Sequence, residues 1–179
     1  MNSEREVLMN EQDIDRSLDR LAMEVVERNH GTEGLVLIGI HTGGVFLARR
    51  IQQKILALNK CELPLGSLDI TLYRDDWSMV AQHPIVKRTD IGFLVDHRRV
   101  VLIDDVLYTG RTIRAALDAL MDFGRPESIR LLVLVDRGGR ELPIQPDYVG
   151  LEREVGGNER IDVLLREHDG EDQVIVGMR

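Results

Sequence analysis

The sequence predicts an α/β fold, a central, mostly parallel sheet flanked by helices on both faces. Three observations carry this expectation. Continuous apolar runs of strand length, at 35–40, 100–103 and 129–135, read as strands covered on both sides. Stretches with apolar residues at helical spacing alternate with them, the order of strand–helix–strand crossovers. Two of the runs stop at turns rich in glycine and threonine, where open α/β sheets bind ligands.

Taken in order, Asn10 is placed to cap a first helix whose Ile14, Leu18, Leu21, Ala22 and Val25 share one face, with Gly31 as its stop. Strand 35–40 leads into the turn His41, Thr42, Gly43 and Gly44, then a helix to about Asn59 built on Leu47, Ile51, Ile55 and Leu58. Residues 68–73 read as a third strand by their Leu, Ile and Tyr content. From 74 to 90 the chain is polar and includes Trp77, Gln82 and Pro84; a connection this long is usually functional, so a flexible loop is expected. Strand 100–103 stops at Asp104 and Asp105, after which Ile113, Ala116, Leu117, Leu120 and Met121 mark one buried stripe of a helix ended by Gly124 and Pro126. Strand 129–135 ends at Asp136 and Arg137. The later segments 146–150, 161–165 and 174–176 read as short strands that follow completion of the central sheet and build a small cap, or hood.

A chain of 179 residues fills one core and is too short for two ordinary domains, so residues 1–179 are expected to form one domain. Apolar content of 43% with 30% charged residues describes a soluble globular protein, and no apolar run reaches the length of a membrane span. Residues 1–10 lack the basic-then-apolar order of a secretion signal, and Cys61 stands alone, which fits a reducing cytoplasm. A net charge of −8 does not advertise nucleic-acid binding over the whole surface, although a local basic patch remains open. His30, His41, His83, His97 and His168 show no metal-ligand spacing.

The chemistry concentrates where strand 100–103 ends. Residues 107–112 lie between a strand end and a helix start, where unpaired N–H groups and the helix dipole favour a phosphate. Thr109 and Thr112 add hydroxyl donors, and Gly110 admits close backbone approach. An adjacent pair of acids alone equally fits a helix cap or a solvated loop. Beside a phosphate nest, however, two carboxylates repel the ligand unless something lies between them. A ribose meets that condition, its 2′ and 3′ hydroxyls donating to the carboxylates while its 5′-phosphate fills the nest. The turn 41–44 is by itself an ordinary strand-to-helix turn; at the same sheet edge, it makes a second wall able to cradle a diphosphate.

The run from Val100 to Thr112 resembles the phosphoribosyl pyrophosphate (PRPP) signature of type I phosphoribosyltransferases. That resemblance implies the type I phosphoribosyltransferase fold, with hood and flexible loop. It implies Asp104 and Asp105 on the ribose, and PRPP contacts from Val106, Leu107, Tyr108, Thr109, Gly110, Arg111 and Thr112 and from His41, Thr42, Gly43 and Gly44. A non-proline cis peptide is implied at His41–Thr42. Arg74 becomes the candidate cation for the departing pyrophosphate, with a solvated loop charge as its plainer reading, and closure of the 74–90 loop would exclude water.

With the segments Asp69–Asp76, Val106–Thr112, Val135–Gly138, Arg140–Pro143 and Pro146–Gly150, the chain resembles the bifunctional pyrimidine operon regulatory protein/uracil phosphoribosyltransferase family from about residue 5 to near the C-terminus. The resemblance implies uracil and PRPP as substrates, UMP and pyrophosphate as products and Mg²⁺ bound through PRPP. It further implies base contacts at Val135, Asp136 and Arg137, sensing of UMP or UTP, binding to pyrimidine operon leader mRNA with transcription attenuation, and a homodimer or larger homo-oligomer. Hypoxanthine-guanine enzymes place an acid three residues after their acidic pair for the purine imidazole proton; this chain has Tyr108 there, which favours uracil. Candidate RNA contacts are Arg16, Arg20, Arg28, Arg140, Arg153 and Arg160, with Arg137 beside them, and solvated or ion-paired arginines are the plainer reading. Glu152, Glu154 and Glu159 among Arg153 and Arg160 should weaken phosphate attraction there. Two other readings stay open: an RNA-binding regulator whose site mainly senses nucleotide, and a purine salvage phosphoribosyltransferase.

Overall fold

A computed structural model describes residues 5–75 and 88–178. The chain runs β1 (Glu6–Met9), α1 (Glu11–Arg28), β2 (Leu35–Ile40), α2 (Gly43–Asn59), β3 (Leu65–Leu68), a 3₁₀ turn (Thr71–Tyr73), β4 (Arg99–Leu107), α3 (Arg111–Met121), β5 (Ser128–Asp136), β6 (Tyr148–Glu152), β7 (Glu159–Leu164), α4 (Arg166–Asp169) and β8 (Gln173–Met178). Five strands in the order β3-β2-β4-β5-β6 pair parallel throughout. A separate antiparallel sheet, β1-β8-β7, forms the hood.

Residue alternation explains why the central strands are apolar at every position. Leu35, Leu37, Val101 and Ile103 face α1 and α2, joining Ile14, Leu18, Leu47 and Ile51 in one core. Val36, Ile38, Val100 and Leu102 point the other way, against Ile113, Ala116 and Leu120 of α3. Each fully buried branched side chain contributes about 2 kcal/mol of transfer free energy, so both layers bind the sheet firmly. Asn10 caps α1 reciprocally: its side chain accepts from the Asp13 N–H at 3.0 Å while Asp13 accepts from the Asn10 N–H at 3.0 Å.

Several elements differ from the sequence expectations. The third strand lies at Leu65–Leu68, not 68–73, because the Asp69 carboxylate accepts from the Thr71 N–H (3.0 Å) and hydroxyl (2.6 Å), folding the chain into a turn. Strand β4 continues through the acidic pair to Leu107. Segment 146–150 supplies the fifth strand of the central sheet rather than the cap: Tyr148 is buried and its hydroxyl accepts from the Asn29 side chain at 3.0 Å. The hood recruits β1, for which the sequence showed no strand signal. Leu58 and Met121 project into solvent at the ends of their helices. Trp77, Gln82 and Pro84, with the expected flexible loop around them, lie outside the described residues.

Candidate active site

Parallel pairing of β2 with β4 sets their carboxyl ends side by side, and glycines let the next helix press against them. A Cβ on Gly39 would lie 2.5 Å from the Gly44 carbonyl, and one on Gly43 would lie 2.5 Å from the Asp105 carboxylate. The first turn of α2 therefore sits against the acidic pair, bringing together the two junctions that were separate in sequence. The His41–Thr42 peptide is cis. No acidic residue of α2 itself occupies its first turn; the negative charge beside it is the Asp105 carboxylate packed against Gly43. His41 Nε2 lies 3.2 Å from the Arg88 carbonyl.

Asp104 is 6% exposed, an unusual position for a carboxylate. One of its oxygens accepts the Asp105 N–H at 3.0 Å, and one Asp105 oxygen accepts the Val106 N–H at 2.7 Å. Burial pushes the Asp104 carboxyl well above the ordinary carboxylate range, and the neighbouring Asp105 charge pushes it further. Burial also raises Asp105, opposed by the Val106 N–H and reinforced by Asp162. The pair is suited to hydroxyl donors, a cation or developing positive charge, each of which would favour its ionised form.

Beyond Leu107, Tyr108 and Thr109 lead to Gly110, whose φ of 93° makes the left-handed step into α3. Arg111 and Thr112 thus stand in the first helical turn. A cavity of 420 Å³ opens here, lined by Arg74, Asp75 and residues 106–113. The Thr109 carbonyl accepts from the Glu141 (2.9 Å) and Leu142 (3.1 Å) N–H groups, fixing the loop from behind. Arg111 is engaged by Glu141 at 2.6 Å and by Asp75.

At the end of β5, Val135 is buried and Asp136 pairs with Arg140 at 2.6 Å. Arg140 also donates to the Tyr108 carbonyl at 2.9 Å and the Ile144 carbonyl at 2.8 Å, stapling two loops together. Arg137 is buried with its guanidinium 3.7 Å from the centre of the Tyr108 ring. Its Nη2 donates to the Glu159 carbonyl at 3.3 Å, while its Nε has no hydrogen-bond partner.

The remaining arginines are distributed. Arg16, Arg20 and Arg28 lie along α1, paired with Asp13 (2.6 Å) or Glu24 (3.5 Å), and Arg20 and Arg28 also donate to carbonyls of the β6 region. Arg153 pairs with Glu6 at 3.1 Å. Arg140 and Arg160 stand at the acidic pair's end of the sheet, apart from α1. Arg160 pairs with Asp162 at 2.8 Å, and both line a second cleft of 390 Å³ shared with Thr42, Gly43 and Asp105. Arg5, His168 and Asp162 on its hood side carried no motif or periodicity that would have marked them. The topology alone brings them there.

These features coincide with three similarities. The phosphoribosyl transferase domain model matches residues 6–164. The bifunctional protein PyrR of Syntrophobacter fumaroxidans is 53% identical over 95% of this chain and 91% of its own length, and that of Deinococcus radiodurans is 53% identical over 97% and 95%. The hypoxanthine phosphoribosyl transferase of Trypanosoma cruzi superposes with a TM-score of 0.75 at 18% identity, covering all of this chain and 93% of the other, which speaks for the fold alone. With an acidic pair, a cavity-lining turn into α3 and a glycine-packed second wall at one sheet edge, and with relatives matching nearly end to end, the chain belongs to the phosphoribosyltransferase family and, within it, to the PyrR proteins.

Proposed function

We propose that this chain acts as a single cytoplasmic domain that transfers the 5-phosphoribosyl group of PRPP to uracil, giving UMP and pyrophosphate. The observation that carries the reading is the contact of Gly43 with Asp105, which sets the α2 turn and the 106–112 loop around one acidic pair. The 5′-phosphate would enter the 420 Å³ cavity, where the N–H groups opening α3 and the hydroxyls of Thr109 and Thr112 can donate. The ribose hydroxyls would donate to Asp104 and Asp105, and the diphosphate would lie against the first turn of α2, with Arg74 at the cavity wall. As the bond to pyrophosphate lengthens, positive charge grows on the ribose ring. The buried acidic pair would stabilise it in a low-dielectric site already oriented for the purpose. Val135, Asp136 and Arg137 would face the base.

Two hard carboxylates, each with only one oxygen engaged by a backbone N–H, fit a Mg²⁺ ion carried by PRPP. When bound, that ion would neutralise the leaving pyrophosphate. Tyr108 at the position where hypoxanthine-guanine enzymes carry an acid supports uracil over a purine. Purified protein incubated with PRPP, Mg²⁺ and either uracil or hypoxanthine should form UMP and little IMP; turnover of hypoxanthine alone would replace this reading with purine salvage.

A second activity is supported by the near-full-length similarity to proteins named bifunctional. It is uridine-nucleotide-dependent binding to pyrimidine operon leader mRNA by a homodimer or larger homo-oligomer, leading to transcription attenuation. The candidate RNA contacts remain Arg16, Arg20, Arg28, Arg140, Arg153 and Arg160, whose existing acid and carbonyl partners would lower their net attraction. Leader RNA should bind more tightly with UMP present and lose affinity with added salt. Affinity equal to that for unrelated RNA, with or without UMP, would leave only the nucleotide site.

A further inference from the structure

The second cleft faces the diphosphate end of the proposed PRPP site and holds one arginine, Arg5, with no ion pair among the described residues. One wall is Thr42, Gly43 and Asp105; the hood supplies Arg5, Arg160 and His168 together with Asp162 and Asp169. Arg160 already holds Asp162 at 2.8 Å, and His168 holds Asp169 at 3.0 Å. Glu6, beside Arg5 in the chain, is taken by Arg153. Arg5 itself has no ion pair among the described residues and is exposed to the cleft. Asp105, the remaining acid, lies on the opposite wall against the backbone of Gly43 and Val106.

We propose that Arg5 is a further substrate-binding residue, whose guanidinium takes the diphosphate of PRPP opposite the first turn of α2. The assignment rests on the phosphoribosyl-transfer reading above. Two features of the fold make the residue effective there. Strand β1 is held in the hood by pairing of Glu6 with Val176 and Val7 with Ile175, so Arg5 enters the cleft from an ordered strand end. The first turn of α2 opposite it offers backbone N–H groups but has the Asp105 carboxylate against it, so Arg5 is the cation of this cleft that a polyanion would meet without an acid already paired to it. Arg5 thereby makes the hood a direct contributor to PRPP binding as well as a cover for the base.

Calorimetric titration of the wild-type protein, Arg5→Gln and Arg5→Lys with magnesium pyrophosphate and, separately, with UMP tests the assignment. UMP has a base and a 5′-phosphate but no diphosphate, so it reports the rest of the site. Arg5→Gln should weaken magnesium pyrophosphate roughly tenfold, the scale of one charge-assisted hydrogen bond, and leave UMP within about twofold of wild type. Arg5→Lys should retain most of the affinity, and KM for PRPP should rise in Arg5→Gln while KM for uracil holds. Pyrophosphate affinity in Arg5→Gln equal to wild type would overturn the assignment, as would parallel loss of UMP. Wild-type protein that binds neither probe would instead overturn the phosphoribosyl-transfer reading on which it rests.

Discussion

Asp104 and Asp105 sit where a carboxylate is expensive, and the expense has a sign that can be measured. In the folded protein burial raises the Asp104 carboxyl, so the native state holds its proton more tightly than the unfolded chain does. Stability contributed by this group is therefore present below the ordinary aspartate range and is lost as pH rises through the raised value. Asp104→Asn removes the group without changing its volume. It should stabilise the ligand-free protein at about pH 8 by about 1 kcal/mol, or 2–4 °C in melting temperature, and the gain should shrink towards about pH 4. Calorimetric melting at the two pH values checks this, and a destabilised variant at high pH would refute it. The same substitution should depress use of PRPP. Because the ribose hydroxyls need ionised acceptors, kcat/KM for PRPP in the wild type should fall on the acid side at a pH above that of an ordinary carboxylate.

Among the elements, α1 owes its start to one local exchange. Asn10→Ala removes the acceptor for the Asp13 N–H, and urea unfolding should show a loss of about 1 kcal/mol with an unchanged m-value. This cap was legible in the sequence because it is local, as were β2, β4 and β5, whose uninterrupted apolar runs need two covered faces. The strands that escaped are short and half-exposed. β1 offers only Leu8 and Met9 to the core, and β3 carries a glycine in four residues. The chemistry of the candidate site could be read from residue types around Asp104. Its supports could not, because Arg111 meets Glu141, and Arg160 reaches the Asp105 cleft, only through folding of distant segments.

At the level of the whole molecule, the hood is fastened to the core by Arg50 on α2. Its guanidinium makes paired hydrogen bonds to Glu167 (2.8 and 2.5 Å) and to Asp172 (3.0 and 2.8 Å), and Asp172 also accepts the Arg166 N–H at 2.7 Å. The side chain is only 18% exposed, so loss of the cation strands a nearly buried Asp172. Arg50→Met should cost roughly 2–3 kcal/mol, less than a fully buried pair because Glu167 keeps contact with water. Arg50 holds the Glu167 and Asp172 carboxyls below their ordinary range, against the opposing effect of burial. The clamp's contribution is thus complete above that range and fades as pH falls through the lowered values; denaturant midpoints near pH 7 and pH 3 should show the variant's deficit shrinking in acid. The pairing of Glu6 with Val176 carries a different consequence, one of timing. During synthesis the residues of both turns that flank the acidic pair leave the ribosome well before the strand that lets β1 join the hood. The hood over that end of the central sheet is thus completed only when the chain's early and late strands meet.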